Sequence, residues 1–585
     1  MQFFSVSVII LWSFIYKEYA LASLRDLGFT GDFRHDAELI KGLESVPFDV
    51  ETKIPLEDYQ KVGSFYMWYV KKCFMLDDTG LGKTAQTLGY CKLLQQSKYR
   101  SGNHDPLKVL IVVTSSILFQ WQGEVEKFTD LRCDVISQKS KKDRERHYKK
   151  FKDSNVNLLI INYHKILNDF DFINELEFDS IVFDEASQLK EESTKMYKLF
   201  NKICEKTPRI VMLTATPISN NLLEFYNLFG LFHIPGLLPD RTEFIMSYLT
   251  TKKVKVKTRW GEKLVDTITG SKLEMIPIFR DRIEPFYIRR LNTNDESELS
   301  KLNMNIIQVP VYLTKEQKDL CHELKKEQID SDSPIIALYS DFVKVACCPQ
   351  IYSNDFSNVS PKALELVKYL KATDRKVVLF AKFIEFHKIM QQYFDHNGIK
   401  YCCINGGLSA KERQKSKDLF ENDPDVKVIM LTGAGKFGLN LQITNQLVFT
   451  DIPYTPSDAF QIIGRVFRTG QTEDVDIRFI YCVDSIEEDL FGVLERKQKE
   501  IDAFFDQDKA AIFSLTRADD KVDVKKNFMN RNYQVGPYFD LTSDLQDLIP
   551  EKEYVEIQNV SASAEAVKEF AGATETLFDG SNVIL

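Results

Sequence analysis

The stretch "CFMLDDTGLGKTAQTLGY", residues 73–90, sets a Gly-Lys-Thr triplet between an apolar run and a helical pattern. That arrangement suits a phosphate chain. Backbone N–H groups at a helix N-terminus face anionic oxygens, a lysine neutralises them, and a hydroxyl ligates a divalent cation. Gly80 and Gly82 permit close backbone approach, Lys83 is spaced to reach β- and γ-phosphates, and Thr84 to ligate Mg²⁺. One position breaks the pattern. The strict loop reads G-x-x-x-x-G-K-[ST], and Asp77 stands where its first glycine belongs. Downstream, "IVFDEAS" puts Asp184 and Glu185 at the end of another apolar run. There the first carboxylate can orient the cation and the second can take a proton from an attacking water. A glycine turn before a helix, or an aspartate helix cap, would explain either motif alone but not both.

A third set lies far along the chain. Gln461, Arg465 and Arg468 are spaced by four and three residues, which on one helix gives them a common face. Guanidinium forks are planar and always charged, so such a face suits a γ-phosphate. An arginine used in this way contributes about 10³–10⁵ in rate in related chemistry. A solvated charged helix is the alternative.

These residues need rigid elements behind them. "KVLIVVTSS" (108–116), "VNLLIINYH" (156–164), "FDSIVFDEAS" (178–187) and "RIVMLTATP" (209–217) are short apolar runs that end in polar residues. Separated by helical segments, they predict a buried parallel sheet with its ligands at the strand carboxyl ends. A second series, "KVVLFAKF" (376–383), "IKYCCING" (399–406), "VKVIMLTGAG" (426–435), "NQLVFTDIP" (445–453) and "VDIRFIYCV" (475–483), predicts a second sheet. The fold expected is therefore α/β. It has an N-terminal extension (1–50), a first lobe (51–235), an insertion and linker (236–360), a second lobe (361–500) and an acidic extension (501–585). Within the insertion, "TKKVKVKTRWGEK" (251–263) reads as a basic hairpin and "NTNDESELS" (292–300) as a link.

The 585 residues carry a net charge of −9. Residues 519–585 hold thirteen acidic and six basic side chains, a net of −7, which leaves −2 for the body and room for a local basic groove. Ten cysteines without a C-x-x-C pair predict reduced, mostly buried thiols and no zinc site. The apolar N-terminal run, Phe3 to Tyr16, is shorter than the ~20 residues of a membrane span and reads as a buried strand, with an export or membrane segment as the alternative.

"DDTGLGKT" resembles the D-E-x-G-L-G-K-T loop of Swi/Snf-family ATPases, a branch of the superfamily two helicases that also has Asp in place of the first glycine. The resemblance extends from about residue 54 to 500. "PLEDYQKVG" is similar to the element whose Gln, here Gln60, reads adenine. "VVTSSILFQWQGEVEKF", "IINYHKI", "DEAS" and "LTATPISNN" resemble successive first-lobe motifs. "INGGLSAKERQKSKDLF" and "LTGAGKFGLNLQITNQLVFTDIPYTPSDAFQIIGRVFRTGQ" resemble those of the second, the terminal Q-x-x-G-R-x-x-R-x-G-Q being the most specific.

The resemblance implies two tandem RecA-like parallel-sheet lobes with a cleft between them. It implies ATP and Mg²⁺ at Gln60, Asp78, Thr79, Gly80, Leu81, Gly82, Lys83 and Thr84, with metal ligation from Thr84 and Asp184. Glu185, Gln461, Arg465 and Arg468 complete the hydrolytic set. It also implies a DNA track, duplex or branched and without sequence specificity, gripped by Ser115, Ser116, Tyr163, Thr432, Gly433 and Lys436. Small hydroxyls and N–H groups of this kind hold phosphates without reading bases. Departures are Ser187 for the usual His, Asp78 for Glu, Thr79 for Met and "YTP" for W-N-P. They fit a compact, diverged bacterial or phage-encoded member in the cytoplasm at the nucleoid, with a protein partner at the insertion or acidic tail. Three activities are compatible with these motifs: a duplex translocase that remodels protein–DNA complexes or branched DNA, a strand-separating helicase, and a nucleotide-dependent scaffold acting on RNA polymerase. "KSKKDRERHYKKFK" (139–152) reads either as a basic flank to the track or as a solvated face.

Overall fold

A computed structural model describes residues 50–78, 80–258, 261–290, 301–330, 335–353, 359–433, 439–468, 470–505, 509–515, 537–539 and 541–549. The expectations for the N-terminal run, Thr79, the 292–300 link, Lys436 and most of the acidic tail lie outside these residues. Two compact units form: residues 1–249 with 271–295, and residues 250–270 with 296–585.

In chain order the strands of the first unit are β1 (Lys72–Met75), β2 (Val109–Val113), β3 (Cys133–Val135), β4 (Leu158–Asn162), β5 (Ser180–Asp184) and β6 (Ile210–Leu213). The hairpin β7 (Leu249–Thr258) and β8 (Gly261–Ser271), which falls almost wholly in the second unit, follows in the chain, then β9 (Tyr287–Ile288) of the first. Apart from the hairpin they make one sheet of order β3-β4-β2-β5-β6-β1-β9 with every pairing parallel. The sequence explains this. β2 is Val-Leu-Ile-Val-Val and all five residues are buried, as a strand covered by helices on both faces must be. Phe74 of β1 sits among Phe225, Phe229 and Phe232 at 4.9, 5.4 and 4.7 Å, a cluster that anchors β1, next to the β9 edge, to the helix Leu222–Gly230 and the residues just after it. Full burial of each such ring contributes about 1.5–3 kcal/mol.

The second unit is built on β10 (Met304–Val311), β11 (Val377–Phe380), β12 (Lys400–Ile404), β13 (Val426–Leu431), β14 (Gln446–Phe449) and β15 (Val475–Cys482). Its order is β10-β15-β14-β11-β13-β12, again all parallel. Two local devices start its helices. Ser409 and Glu412 form a reciprocal capping box, and Thr455 accepts from Asp458 N at 3.1 Å ahead of the helix Pro456–Val466. Thus both predicted sheets are present, and the segment 236–360 gives one edge strand to each. All ten cysteines are free and eight are buried. Among the described residues no helix is long and apolar enough to cross a membrane.

Candidate active site

Because the first sheet is entirely parallel, the loops after β1, β2, β4, β5 and β6 leave from the same edge. The phosphate loop follows β1. Gly80 and Gly82 adopt φ of +95° and +69°, and the helix Lys83–Arg100 begins directly behind them. The positive φ strains any side chain at Gly82, and a Cβ there would lie 2.4 Å from Gln60 Nε2, so Gln60 lies against the loop. The Gln60 amide oxygen accepts from Glu57 N at 3.1 Å, which holds it at the start of the helix Asp58–Val70.

The buried Asp77, in place of glycine, acts as an anchor. Its Oδ1 accepts from Arg290 N at 3.0 Å, and its Oδ2 from Arg290 Nη1 at 3.2 Å and Gln86 Nε2 at 3.0 Å. Gln86 Nε2 also donates to Leu81 O at 3.0 Å, closing the loop on itself. Main-chain bonds from Leu76 N to Ile288 O (2.8 Å) and Asp78 N to Arg290 O (2.9 Å) continue the β1–β9 pairing into the loop. Arg289 bonds Leu76 O and Ala215 O, each at 3.2 Å, and pairs with Asp78 at 3.4 Å. Lys83 Nζ donates to Asp77 O (2.6 Å) and Asp78 O (3.0 Å). Burial lowers the Lys83 ammonium from its ordinary range, while Asp77, Glu185, Asp184 and Asp78 oppose that shift by holding the charge. Thr84 is half-buried in the first helical turn.

Asp184 ends β5, two strands from β1. Burial raises its carboxyl above the usual range, opposed by the Trp121 indole, the Lys83 charge and the Glu185 N–H. Trp121 Nε1 donates to Asp184 Oδ2 at 2.7 Å, and Tyr163 OH donates to Asp184 O at 2.8 Å. Glu185 takes left-handed angles, φ 56° and ψ 53°, a conformation that costs about 1–2 kcal/mol for a residue with a Cβ and turns the chain sharply after the strand. Beyond β6, Glu224 accepts from Ser219 N (2.6 Å) and Asn220 N (3.0 Å) and pairs with Lys190 at 3.0 Å, pinning the loop after "LTATP".

This donor set fits a magnesium-bound triphosphate. Thr84, Asp184 and Glu185 offer oxygen alone, the preference of that cation, beside a lysine and a glycine-lined helix N-terminus.

In the second unit the helix carrying Gln461 and Arg465 ends at Val466. Arg468 therefore lies past the helix, a correction to the single face expected, because Phe467 leaves helical geometry with φ −88° and ψ 87°. The two arginines still converge. Arg465 Nη1 and Arg468 Nη1 each donate to Leu439 O at 3.3 Å, and Arg468 also bonds Asn440 Oδ1. Arg465 Nε donates to Gln461 O at 3.1 Å, and burial lowers the Arg468 guanidinium from its ordinary range.

The residues expected on the track divide. Ser115 and Ser116 are exposed, in a 3₁₀ turn, Ser115–Ile117, at the end of β2. Tyr163 is only 3% exposed and its hydroxyl is committed to Asp184 O, so its side chain supports the acid motif and does not face outward as expected. Thr432 is likewise buried, with its N–H on Ile404 O at 3.2 Å, while Gly433 is half-buried. The basic helix Lys141–Asp153 turns Arg144 inward onto Asp169, at 2.6 and 2.7 Å, and exposes Lys141, Lys142, Arg146, Lys149, Lys150 and Lys152. Sequence reasoning missed Arg290, Gln86, Trp121 and Glu224. Trp121 alone carried a signal, standing in the W-x-x-E that follows β2.

Comparison with known proteins gives two matches in tandem: the SNF2-related domain over residues 59–350 and the helicase conserved C-terminal domain over residues 361–470. An uncharacterized ATP-dependent helicase of Mycoplasma pneumoniae is 26% identical over 452 residues, 76% of this chain and 41% of that protein. The uncharacterized ATP-dependent helicase YqhH of Bacillus subtilis is 26% identical over 451 residues, 73% of this chain and 75% of YqhH. Against the yeast ATP-dependent helicase FUN30 identity is 25%, covering 48% of that protein, so the chain spans less than half of two of these three relatives. The solved Sulfolobus solfataricus SWI2/SNF2 ATPase core in complex with dsDNA is 24% identical, with a TM-score of 0.37 over 76% of this chain and 92% of that one.

Proposed function

The chain belongs to the Swi/Snf family of superfamily two helicase-like ATPases, and on that premise we propose that it is a motor that hydrolyses ATP to move along double-stranded DNA and remodel protein–DNA complexes or branched DNA. One observation carries the reading. A phosphate loop, an acid pair and an exposed two-serine turn leave the same edge of one parallel sheet, and Trp121 and Tyr163 tie Asp184 of the acid pair to the end of β2, from which the serine turn leaves. A nucleotide site and a backbone-phosphate grip are thus parts of one rigid element.

In this reading Lys83 and the N–H groups from Gly80 to Thr84 hold the β- and γ-phosphates, and Gln60 reads the adenine. Thr84 and Asp184 would hold Mg²⁺, which would draw charge off the γ-phosphate. Glu185 takes the proton from the attacking water. Arg465 and Arg468 act on the γ-phosphate only while it is attached, which gives the nucleotide state its differential affinity for one arrangement of the motor. Ser115 and Ser116 contact DNA phosphates without reading sequence, so salt weakens binding steeply.

The test is ATPase activity with no DNA and with duplex, single-stranded and branched DNA, beside triplex displacement and strand separation. Duplex-stimulated turnover with triplex displacement and no unwinding supports translocation. Unwinding supports the helicase alternative, and turnover indifferent to every DNA removes both. Glu185→Gln should bind ATP and hydrolyse it at least about a hundredfold more slowly. Near-normal turnover would refute the assignment of the base.

A further inference from the structure

We infer that Trp121 is the positioning residue of Asp184, and that the exposed Ser115–Ile117 turn reaches the acid motif through it. The second half rests on the DNA reading above; the first half does not.

The geometry starts at β2. The strand ends at Val113, the 3₁₀ turn Ser115–Ile117 follows, and the helix Leu118–Phe128 begins at once. Trp121 comes three residues into that helix, is 2% exposed, and packs in the same core cluster as Val113, Leu118 and Val125. Its indole N–H can only donate, and it donates to Asp184 Oδ2 at 2.7 Å. A neutral, permanent donor on one carboxylate oxygen fixes the plane of the group and leaves the other oxygen for a ligand.

A second line of bonds runs alongside. Tyr163 N donates to Val113 O at 3.1 Å, and Tyr163 OH to Asp184 O at 2.8 Å. Asp184 is therefore held at its side chain from the element after β2 and at its main chain from the loop after β4. A buried tryptophan usually finds some partner for its N–H, and a backbone carbonyl would satisfy it. Here the partner is the carboxylate of the acid motif, and the tryptophan shares a short, packed stretch with two exposed hydroxyls. A phosphate that displaces Ser115 and Ser116 moves the start of that helix and hence the donor on Asp184.

The test uses the full chain. In the Glu185→Gln background with ATP bound, free Mn²⁺ is followed by electron paramagnetic resonance during titration. Trp121→Phe, which keeps an aromatic ring and removes the donor, should weaken Mn²⁺ binding about tenfold, as expected for losing a hydrogen bond to a charged group. Equal binding would overturn the positioning role. A measurement on the unsubstituted chain guards against misfolding of the variant. Of its four tryptophan ¹⁵N-indole signals, one should broaden when Mn²⁺·ADP replaces Mg²⁺·ADP and shift when duplex DNA is added. No broadening overturns the positioning role. A broadened signal that ignores bound duplex overturns the coupling alone. A chain that binds no duplex overturns the DNA reading and the coupling with it, while the Mn²⁺ result still decides the role of Trp121.

Discussion

Replacing Arg290 by Met tests whether the phosphate loop hangs on a buried charge pair. Asp77 is 0% and Arg290 5% exposed. Among the described residues the carboxylate has three donors, of which the variant keeps two, Arg290 N and Gln86 Nε2, and loses the Arg290 guanidinium on Oδ2. Removing one partner of a buried pair costs about 3–5 kcal/mol. At about 2–4 °C per kcal/mol for a unit of this size the first unit should melt on the order of 10 °C lower. The assay is calorimetric melting with and without ADP, since the transition that ADP moves belongs to the first unit. Asp77→Asn with Arg290→Met should recover most of the loss, because the neutral amide oxygen still accepts from Arg290 N while its NH₂ can donate to Gln86 Oε1, freed from Arg290 Nη1, once the Gln86 amide flips. By contrast Asp77→Gly, which restores the strict loop pattern, should destabilise by leaving Arg290 buried beside no carboxylate on Asp77. A melting point within about 2 °C of the parent for Arg290→Met, or a double variant no better than the single, refutes the reasoning.

Gly82→Ala meets Gln60 Nε2 at 2.4 Å and carries a Cβ at φ +69°, so ATP binding by fluorescence titration should fall at least about tenfold, with the rest of the fold intact by circular dichroism. Arg468→Ala should lower kcat about 10³-fold and leave ATP affinity within about threefold; unequal loss in the opposite sense would show that Arg468 binds nucleotide instead of acting in the transition state. Burial raises the Glu224 carboxyl, but Lys190 and the Ser219 and Asn220 N–H groups outweigh it, so its net shift is downward. A lowered carboxylate stabilises the fold above its unfolded pKa and loses that contribution as pH falls through the lower folded value. The melting gap between the parent and Glu224→Gln should therefore be full at neutral pH and shrink below about pH 4.5. A gap constant from pH 7 to pH 3 counts against that network.

The strands were legible because a parallel strand buried on both faces must be apolar throughout. β2, β4, β5 and β6 fall within the predicted runs, and the polar residues that end those runs are the ones that carry the site. The same logic failed where a side chain's direction depends on distant partners. Tyr163 follows its strand as Ser115 follows its own, yet it folds inward, where Asp184 O accepts from its hydroxyl. The Gln461–Arg468 spacing is helical in sequence, but the helix stops at Val466 and Arg468 reaches Leu439 O from outside it. Arg290 lies 213 residues from Asp77, and no local pattern connects them.

The aspartate in the glycine position is then less a defect of the phosphate loop than a change in what supports it. A first glycine leaves the loop to be fixed by its own backbone and by the helix behind it. Asp77 exchanges that freedom for a tie to the chain after β9, where Arg289 and Arg290 bond both the loop and the Ala215 carbonyl of "LTATP". Asp184 is held in the same manner, by Trp121 from the element after β2 and Tyr163 from the loop after β4. Two carboxylates along this edge, Asp77 and Asp184, are thus each held by a side chain from a different part of the chain rather than by their own loops.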